Sequence, residues 1–553
     1  MPSVDTASAI LSSLDALGVT HVLYCPGSRC APFAYALEAG AFGGDARAVL
    51  DERGAGFVAL GLARTGALPA IVVTSGTAVA ELAPAVLEAS HARLPLLLLT
   101  ADRPGELRGV GASQATDQSG FFGTHVRASI DLEPQDASPF LVSHLARAVA
   151  AACGAPSGAP GPVQINVAFR DPLTPVRPAC DSRDEAVASF VPRPTRVLRA
   201  PATPERWEDV VGPATAGLIV AGEGASPRAG EWSRAAGFPL LAEPASGAWK
   251  GPGVTPFEQS LVASPLGREV DAVVVTGRPT LSRPIQALLA RPDVRVVVAH
   301  PHSPWVDISG NASVVVADLE PAREPISAAQ AEWACRVRDA AREAGERIDS
   351  LLASGSGRTM LDLARTVANS TCGPLVLGAS NPVRAFDLAV PTLEGRVIHS
   401  NRGQAGIDGT IATAVGISLG SGCAGEASAP SGERVTAVMG DLTACHDASS
   451  LALAASVDAQ LDIVVADDQG GGIFATLEHG RAASPEAYDR WFGLAQPVDY
   501  EALAAAYGVA FARADEPSEL EALLARPTSG PRLIHALVER AAHLYPALRD
   551  VLS

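Results

Sequence analysis

Several features that define other classes of protein are missing from this sequence. It has no run of apolar residues near the roughly 18 that a membrane-spanning helix needs, so we expect no membrane span. Its first residues lack the basic start of a secretory signal and have the pattern of an amphipathic helix, so we expect no signal peptide. It also lacks the GxxxxGK(S/T) loop of P-loop nucleotide hydrolases, which excludes that class.

An excess of positive charge is missing as well. The formal net charge is −18 at pH 7, which argues against nucleic acid or an anionic membrane as the main partner. An anionic substrate would therefore have to be met by a local cluster of arginines. The eight cysteines show no CxxC spacing, so we expect reduced thiols in a cytoplasmic protein.

What the chain does have is enough apolar material for several cores. At 553 residues and 47% hydrophobic composition, it is too long for a single core. Short apolar strands alternate with helical stretches in three blocks, which is typical of parallel α/β sheets. We therefore predict the α/β class with three doubly wound parallel-sheet domains, over residues 1–178, 205–330 and 355–553. A Pro- and Arg-rich linker from Pro175 to Pro204 follows the first block, and a helix from Ala328 to Leu352 precedes the third.

The most informative stretch runs from Val435 to Phe474. Two apolar strands end in Gly440-Asp441 and Asp467-Asp468, and the second is followed by three glycines from Gly470. Ligands of an open parallel sheet bind at the carboxyl ends of its strands. Carboxylate oxygens and a backbone carbonyl suit Mg²⁺ that also binds phosphate oxygens, so these residues predict a metal-bridged diphosphate. The alternative is that the aspartates cap helices or turns, which the glycines beside both of them make less favoured.

Glu52 is the most distinctive acid of the N-terminal block. It follows a strand and precedes a Gly-x-Gly helix start, and its ordinary alternative role is a surface salt bridge with Arg53. The stretch from Thr74 to Thr77 follows another strand and could cap a helix that cradles an anion.

Taken together, the motifs resemble those of one enzyme family. The paired strand ends resemble the GD…NN motif of thiamine-diphosphate enzymes, with Asp467-Asp468 where Asn-Asn is usual. The full set is similar to the MenD family, the 2-succinyl-5-enolpyruvyl-6-hydroxy-3-cyclohexene-1-carboxylate synthases of menaquinone biosynthesis. The motifs that carry this resemblance are PGSR from Pro26, DERGAGF from Asp51, TSGTAVAEL from Thr74, TADRP from Thr100, SNRGQAGIDG from Ser400, GDLTACHD from Gly440 and GGGIF from Gly470. The middle block matches only through GRPTLSRP from Gly277.

The resemblance implies thiamine diphosphate as cofactor, with Mg²⁺ or Mn²⁺. Asp441, Asp468 and the backbone carbonyl of Gly470 would bind the metal. Glu52 would be catalytic, because in the family one glutamate bonds the pyrimidine ring and lets the cofactor deprotonate its own thiazolium carbon. The implied cofactor-binding residues are Glu52, Thr77, Ile407, Gly440, Asp441, Leu442, Thr443, Asp468, Ile473 and Phe474.

The implied activity is that of a transferase. The family decarboxylates 2-oxoglutarate and adds the resulting succinyl carbanion to isochorismate by 1,4-addition. The two substrates carry four carboxylates, which an acidic protein must meet with arginines. The implied substrate-binding residues are Ser28, Arg29, Arg103, Ser113, Gln114, Arg283, Ser380, Arg384 and Arg402. Ser113 stands where Asn is common, and Glu81 also replaces an Asn.

In the family, the glutamate and the metal motif meet across a subunit interface. The resemblance therefore implies a homodimer or homotetramer with shared active sites. Two alternatives remain open: an acetolactate synthase or 2-oxo acid decarboxylase with the same cofactor, and a non-catalytic homologue with a binding or regulatory role. We interpret His446-Asp447 as an N-terminal helix cap rather than as catalytic groups.

Overall fold

The computed structural model describes residues 3–134, 138–175, 192–249, 251, 253–420, 434–526 and 528–553. They belong to two compact units, one formed by residues 1–200 with 412–431 and one by residues 201–411 with 432–553. Each unit is described by itself. Part of the predicted linker, residues 176–191, lies outside the described residues. No helix among the described residues is both long and apolar enough to cross a membrane.

The first unit contains a six-stranded parallel sheet with the strand order β2-β1-β3-β4-β6-β5. Its strands are β1 (His21–Tyr24), β2 (Asp45–Ala48), β3 (Pro69–Val73), β4 (Leu96–Asp102), β5 (Ser129–Leu132) and β6 (Pro162–Ala168). Its helices before residue 200 are α1 (Ser3–Ala16), α2 (Ala31–Glu38), α3 (Glu52–Arg64), α4 (Thr77–Glu81), α5 (Ala83–Ala92) and α6 (Pro139–Ala152).

The central strands of this sheet are buried on both faces. Every residue of β3, β4 and β6 is buried, as expected of a parallel sheet covered by helices on both sides. Helix α1 buries Ile10, Leu11 and Leu14 in the core on one face. Helix α3 begins directly after Asp51, whose carboxylate accepts the backbone N–H of Gly54 at 3.2 Å and so caps the helix.

The second unit contains two further parallel sheets. The first has the order β11-β10-β9-β7-β8 and the second the order β13-β12-β14-β15-β17-β16. The strands are β7 (Gly217–Ala221), β8 (Leu240–Ala242), β9 (Ala272–Thr276), β10 (Arg295–Ala299), β11 (Ala312–Val316), β12 (Leu375–Leu377), β13 (Ile398–His399), β14 (Val435–Gly440), β15 (Leu461–Asp467), β16 (Ala510–Ala514) and β17 (Arg532–Leu537).

Short and medium helices connect these strands. Helix α15 begins in the second unit, and its residues from 412 on belong to the first. The helices are α7 (Trp207–Val210), α8 (Ala229–Ala236), α9 (Glu258–Ala263), α10 (Pro265–Glu269), α11 (Arg283–Leu289), α12 (Ala328–Ala353), α13 (Met360–Ser370), α14 (Asn381–Ala389), α15 (Thr410–Gly420), α16 (Asp441–His446), α17 (Ser450–Ser456), α18 (Gly472–Ala475), α19 (His479–Ala482), α20 (Pro485–Tyr488), α21 (Tyr500–Ala506), α22 (Pro517–Leu524) and α23 (Leu544–Arg549).

The predicted long helix is confirmed as α12. Ser327 caps it in a capping box with Gln330, in which each side chain accepts the other residue's backbone N–H. Trp333 of this helix is buried, and its indole N–H donates to the carbonyl of Gly217 at 2.9 Å. The helix therefore packs on the central sheet with its buried polar group satisfied.

The three parallel sheets confirm the predicted fold class. The stretch of small residues from Ala448 to Val457 predicts a helix, and the structure has α17 there, preceded by the separate helix α16. The predicted helix cap at His446-Asp447 is wrong. The Asp447 carboxylate accepts the Ile411 N–H and the Ser450 hydroxyl, both at 2.7 Å. His446 ends α16 and Ser449 is the N-cap of α17, so His446-Asp447 is not its cap.

Three strands escaped prediction, namely β5, β8 and β16. All three lie at an edge of their sheet. Strands β5 and β16 are partly exposed, and β8 has only three residues. Short or half-exposed edge strands lack the continuous apolar run that identifies a buried strand.

Candidate active site

In the first unit, the predicted residues gather at the carboxyl ends of four adjacent strands. Ser28 and Arg29 follow β1, Glu52 follows β2, Thr77 follows β3, and Arg103 follows β4. Since the four strands are neighbours in a parallel sheet, these residues share one edge.

Arg103 joins this edge to the loop that carries Gln114. Its guanidinium donates to the Ser75 hydroxyl and, at 2.7 Å, to the Gln114 carbonyl. The Gln114 side-chain amide donates to the Ser75 carbonyl at 2.9 Å, and Gln114 itself has a φ of +56°. Arg103 and Gln114 are thus brought together, whereas the neighbouring Ser113 is exposed.

The cations Arg29 and Arg103 lie near each other on the same edge. Arg29 donates to the carbonyl of Phe169 at 3.0 Å and is half-buried. Burial lowers the pKa of Arg103, and the positive charge of Arg29 lowers it further. Two nearby cations favour an anionic ligand, as the substrate-binding prediction requires.

Glu52 is the first residue of α3 and is half-buried. The pKa of the buried Cys25 thiol is raised, mainly by burial and next by the negative charge of Glu52. The carboxylate therefore lies close to the end of β1. Ser28 and Thr77 are exposed on the same edge.

Ser75 and Gln118 also build this edge, and sequence reasoning missed both. Gln118 is buried, accepts the Gly76 N–H at 3.3 Å and donates to the Ala101 carbonyl at 3.0 Å. Ser75 lies inside a motif already singled out, so its position was a usable signal. Gln118 had no such signal, because its partners are far away in the chain.

In the second unit, the predicted metal donors lie at the carboxyl ends of two paired strands. Gly440 of β14 pairs with Ala466 of β15, which brings Asp441 beside the end of β15 and Asp468. Asp441 is 3% exposed. Gly470 follows Asp468 with a φ of +129°, and a Cβ there would collide with the Gly493 carbonyl oxygen. Only glycine fits this turn.

The electrostatics of this cluster fit a bound cation. Burial raises the pKa of Asp441 to about 7, with further contributions from the negative charges of Asp468 and Asp467. Burial also raises the pKa of Asp468 to about 6, although the charge of Arg540 opposes the shift. Carboxyl groups that destabilise one another's charge in this way gain most from a divalent cation.

The donor set is small. Within the described residues, no group of three or more His, Cys, Asp or Glu side chains is placed to hold a metal ion. The predicted set has two carboxylates and one backbone carbonyl, which suits a Mg²⁺ that takes its remaining ligands from phosphate and water. Asp441, Asp468 and Gly470 therefore fit a metal-diphosphate group.

The other predicted cofactor contacts surround this cluster. Gly440 is the N-cap of α16, which carries the half-buried Leu442 and the buried Thr443. Ile473 and Phe474 lie on α18, directly after the glycine turn, and the Phe474 ring packs on Phe492 at 5.6 Å. Ile407 is 36% exposed.

Two predicted substrate arginines meet at one carbonyl oxygen. Arg384 donates to the Ala379 and Ser380 carbonyls at 3.2 and 2.7 Å. Arg402, 6% exposed, donates to the Ala379 carbonyl and to the Thr280 hydroxyl, both at 3.1 Å. Its Nε atom is buried and has no hydrogen-bond partner among the described residues. Neither guanidinium forms an ion pair with a carboxylate in the described part of the chain.

The contacts of Arg283 do not connect it to Arg384 and Arg402. It begins α11, is largely exposed, and lies 3.7 Å from the exposed Glu478 carboxylate. It remains a predicted substrate contact.

Three further residues that sequence reasoning missed hold Arg402 in place. Thr280 accepts from its side chain, and the Arg278 side chain donates to its backbone carbonyl. Arg278 is itself paired with Glu223 at 3.1 Å. For Thr280 and Arg278 the available signal was their place in the motif of the middle block, whereas Glu223 lies outside that motif.

Comparison with known proteins was consistent with this geometry. Residues 4–121 match the family described as "Thiamine pyrophosphate enzyme, N-terminal TPP binding domain", and residues 389–536 match its C-terminal TPP binding domain. A 2-succinyl-5-enolpyruvyl-6-hydroxy-3-cyclohexene-1-carboxylate synthase of Kineococcus radiotolerans is 41% identical, over 98% of this chain and 96% of its own length. The synthase of the same name from Nocardioides sp. is also 41% identical, over 97% of this chain and 95% of its own length. The synthase of the same name from Renibacterium salmoninarum is 38% identical, over 98% of this chain and 95% of its own length. The chain therefore belongs to the family of 2-succinyl-5-enolpyruvyl-6-hydroxy-3-cyclohexene-1-carboxylate synthases, among the thiamine-diphosphate-dependent enzymes.

Proposed function

We propose that this chain decarboxylates 2-oxoglutarate and adds the remaining succinyl unit to isochorismate by 1,4-addition, in menaquinone biosynthesis. The product is 2-succinyl-5-enolpyruvyl-6-hydroxy-3-cyclohexene-1-carboxylate. The observation that carries the proposal is the pair formed by Arg384 and Arg402, two partly or fully buried cations that form no ion pair within 4 Å among the described residues, although the charges of Asp387 and Glu243 reach them. The buried Nε of Arg402 has no hydrogen-bond partner among the described residues, and a carboxylate ligand would supply one.

Thiamine diphosphate, when bound, supplies the electron sink that decarboxylation requires. Asp441, Asp468 and the Gly470 carbonyl would hold the Mg²⁺ or Mn²⁺ that neutralises the diphosphate of the cofactor. Glu52 would supply the carboxyl group that bonds the pyrimidine ring. Ile407, Ile473 and Phe474 provide apolar walls that exclude water from the reacting carbon.

Each unit contributes its own group of arginines to the proposed binding of the substrate carboxylates. Arg29 and Arg103 act at the first sheet edge, with Ser28, Ser113 and Gln114 as neutral hydrogen-bonding groups. Arg384 and Arg402 act in the second unit, with Ser380 beside them and Arg283 at the exposed rim. Guanidinium groups suit this task because their forked donors match a carboxylate.

The proposal includes the organisation of the chain. Residues 1–178 form the pyrimidine-binding domain, residues 205–330 the central domain, and residues 355–553 the diphosphate-binding domain. At least a homodimer, or a homotetramer, combines Glu52 of one subunit with the metal motif of another. The enzyme works in the cytoplasm, in keeping with the free thiols of the six cysteines among the described residues.

The test is CO₂ release from 2-oxoglutarate by the purified chain with thiamine diphosphate and Mg²⁺, with and without isochorismate. We expect isochorismate-dependent turnover that Glu52→Gln abolishes while cofactor binding is retained. Glu38→Gln, an exposed change in the same unit, is the matched control and should keep full turnover.

Two outcomes would overturn the proposal in different ways. Turnover of another 2-oxo acid, with none of 2-oxoglutarate, would indicate an acetolactate synthase or a 2-oxo acid decarboxylase. Failure to bind thiamine diphosphate with either Mg²⁺ or Mn²⁺ would indicate a non-catalytic homologue.

A further inference from the structure

Asp467, the last residue of β15, uses both oxygens of its carboxylate. Oδ2 lies 2.9 Å from Nε2 of His535, and Oδ1 accepts the backbone N–H of Gln469 at 2.8 Å. Both side chains of the His535 pair are largely shielded from water, at 14% and 16% exposure. A carboxylate in this setting needs its hydrogen-bond donors, because an unpaired buried charge is costly.

The bond to Gln469 shapes the turn that carries the predicted metal donors. Gln469 has a φ of +61° and Gly470 a φ of +129°, so two consecutive residues lie in the left-handed half of backbone space. For Gln469 this conformation costs on the order of 1 kcal/mol and has to be held by its surroundings. Asp467 holds the turn from one side. From the other side, Arg540 donates to the carbonyls of Asp468, at 2.7 Å, and of Gln469.

The direction of the His535 hydrogen bond follows from the chemistry of a carboxylate, which accepts hydrogen bonds and has no hydrogen to donate. Asp467 is therefore the acceptor at both of its oxygens, and Nε2 of His535 carries the donated hydrogen. The imidazole ring is held in place by Tyr500, whose ring centroid lies 4.7 Å away.

We propose that His535 is a positioning residue of the metal-diphosphate site, acting through Asp467 on the turn that presents Asp468 and Gly470. The inference rests on the proposed function. An asparagine at position 467 would bring an amide N–H of its own. An aspartate at this position has no hydrogen to donate, and His535 supplies it. Without that donor, the bare carboxylate would face the negative charge of Asp441 and loosen the turn.

The experiment measures Mn²⁺ binding to the full chain in the presence of thiamine diphosphate, by the electron paramagnetic resonance of free Mn²⁺. His535→Leu removes the donor, and we expect the Kd for Mn²⁺ to rise about 10- to 100-fold. His535→Gln keeps an N–H of similar reach, and we expect a Kd within about threefold of the wild type. Arg513→Gln, on the neighbouring strand β16, breaks an exposed ion pair with Asp515; it is the matched control and should bind Mn²⁺ as the wild type does.

A double-mutant cycle separates positioning from general damage. In an Asp467→Asn background the carboxylate is gone, so His535→Leu should change the Kd by less than about threefold. An equal loss in both backgrounds, or no loss in either, would overturn the inference. If His535→Leu does not fold, the comparison of His535→Gln with the shorter His535→Asn replaces that measurement. Equal Mn²⁺ binding by these two variants would also overturn the inference. Wild-type protein that binds no Mn²⁺ with thiamine diphosphate would instead overturn the proposed function itself.

Discussion

Arg384 and Arg402 donate to the same carbonyl oxygen, that of Ala379, at 3.2 and 3.1 Å. Two guanidinium groups that share an acceptor hold their positive charges close together. Burial lowers the pKa of Arg384 to about 10, and the charge of Arg402 contributes next. The charges of Asp387 and Glu243 offset part of this repulsion, and we expect a bound carboxylate to offset the rest.

Replacing Arg402 tests this site most directly. Arg402→Gln removes one of the two charges and leaves a bound carboxylate partly unpaired, at a cost of about 2–4 kcal/mol. We expect kcat/KM to fall roughly 10- to 1,000-fold in a CO₂-release assay. Arg358→Gln, which breaks exposed ion pairs with Glu516 and Glu539, should change it less than about twofold. Equal effects of the two changes would contradict the assignment.

Thr280 is expected to tune the same site through its hydroxyl. Thr280→Val keeps the shape but removes the acceptor of an Arg402 N–H, a loss of about 1 kcal/mol. We expect the KM for one of the two substrates to rise about three- to tenfold with kcat unchanged. Thr280→Ser restores the hydroxyl and should restore the KM. A Ser variant as impaired as the Val variant would show that packing, not the hydrogen bond, matters here.

Gly470 is expected to tolerate no side chain. In Gly470→Ala the Cβ would meet the Gly493 carbonyl, and the turn at a φ of +129° would be strained. We expect cofactor-dependent Mn²⁺ binding to weaken at least about tenfold, with a stability loss of about 1–3 kcal/mol. The control is Gly357→Ala, at a φ of +75° with no described atom within 4 Å of the added Cβ. It should lose about 1 kcal/mol in thermal unfolding and leave Mn²⁺ binding intact.

Glu243 is expected to make stability depend on pH. Burial raises its pKa from 4.5 to about 8, opposed by the Leu281 N–H and by Arg402 and reinforced by Asp387 and Glu223. Between these two values the folded chain holds a proton that the unfolded chain has lost, so stability falls as pH rises through this range.

Glu243→Gln keeps the acceptor for the Leu281 N–H, at 2.6 Å, and removes the titration. We expect the apparent Tm of the variant to match the wild type near about pH 5 and to exceed it near about pH 9. The difference should correspond to a few kcal/mol, on the order of 1.4 kcal/mol for each unit of pKa shift. Glu38→Gln should show no such pH-dependent difference, and a constant offset at all pH values would refute the prediction for Glu243.

Much of the geometry of the candidate metal site could be predicted from the sequence. Asp441, Asp468 and Gly470 follow apolar strands directly, and the carboxyl ends of neighbouring parallel strands must share an edge. The glycine turn was visible because only glycine accepts its backbone conformation. Edge strands such as β5 and β16 were missed because their half-exposed residues lack a clear apolar pattern.

The neighbours that orient these groups could not be predicted. Thr280 and Arg402 are 122 residues apart in the chain, and Asp467 and His535 are 68 apart. From the sequence alone, Thr280 is an ordinary loop residue and His535 an ordinary strand residue. Which side chains meet across such separations depends on how strands and loops pack, and a single sequence records no contact of that kind.

The sequence by itself determined the parallel α/β alternation, the acidic character of the chain and the residues that can donate to a metal, because each of these follows from local pattern and composition. Only the tertiary structure decided that Arg384 and Arg402 share the Ala379 carbonyl and that His535 supplies a hydrogen to Asp467. These relationships arise when distant segments are packed at hydrogen-bond distance, where displacements of a fraction of an ångström decide which donor meets which acceptor.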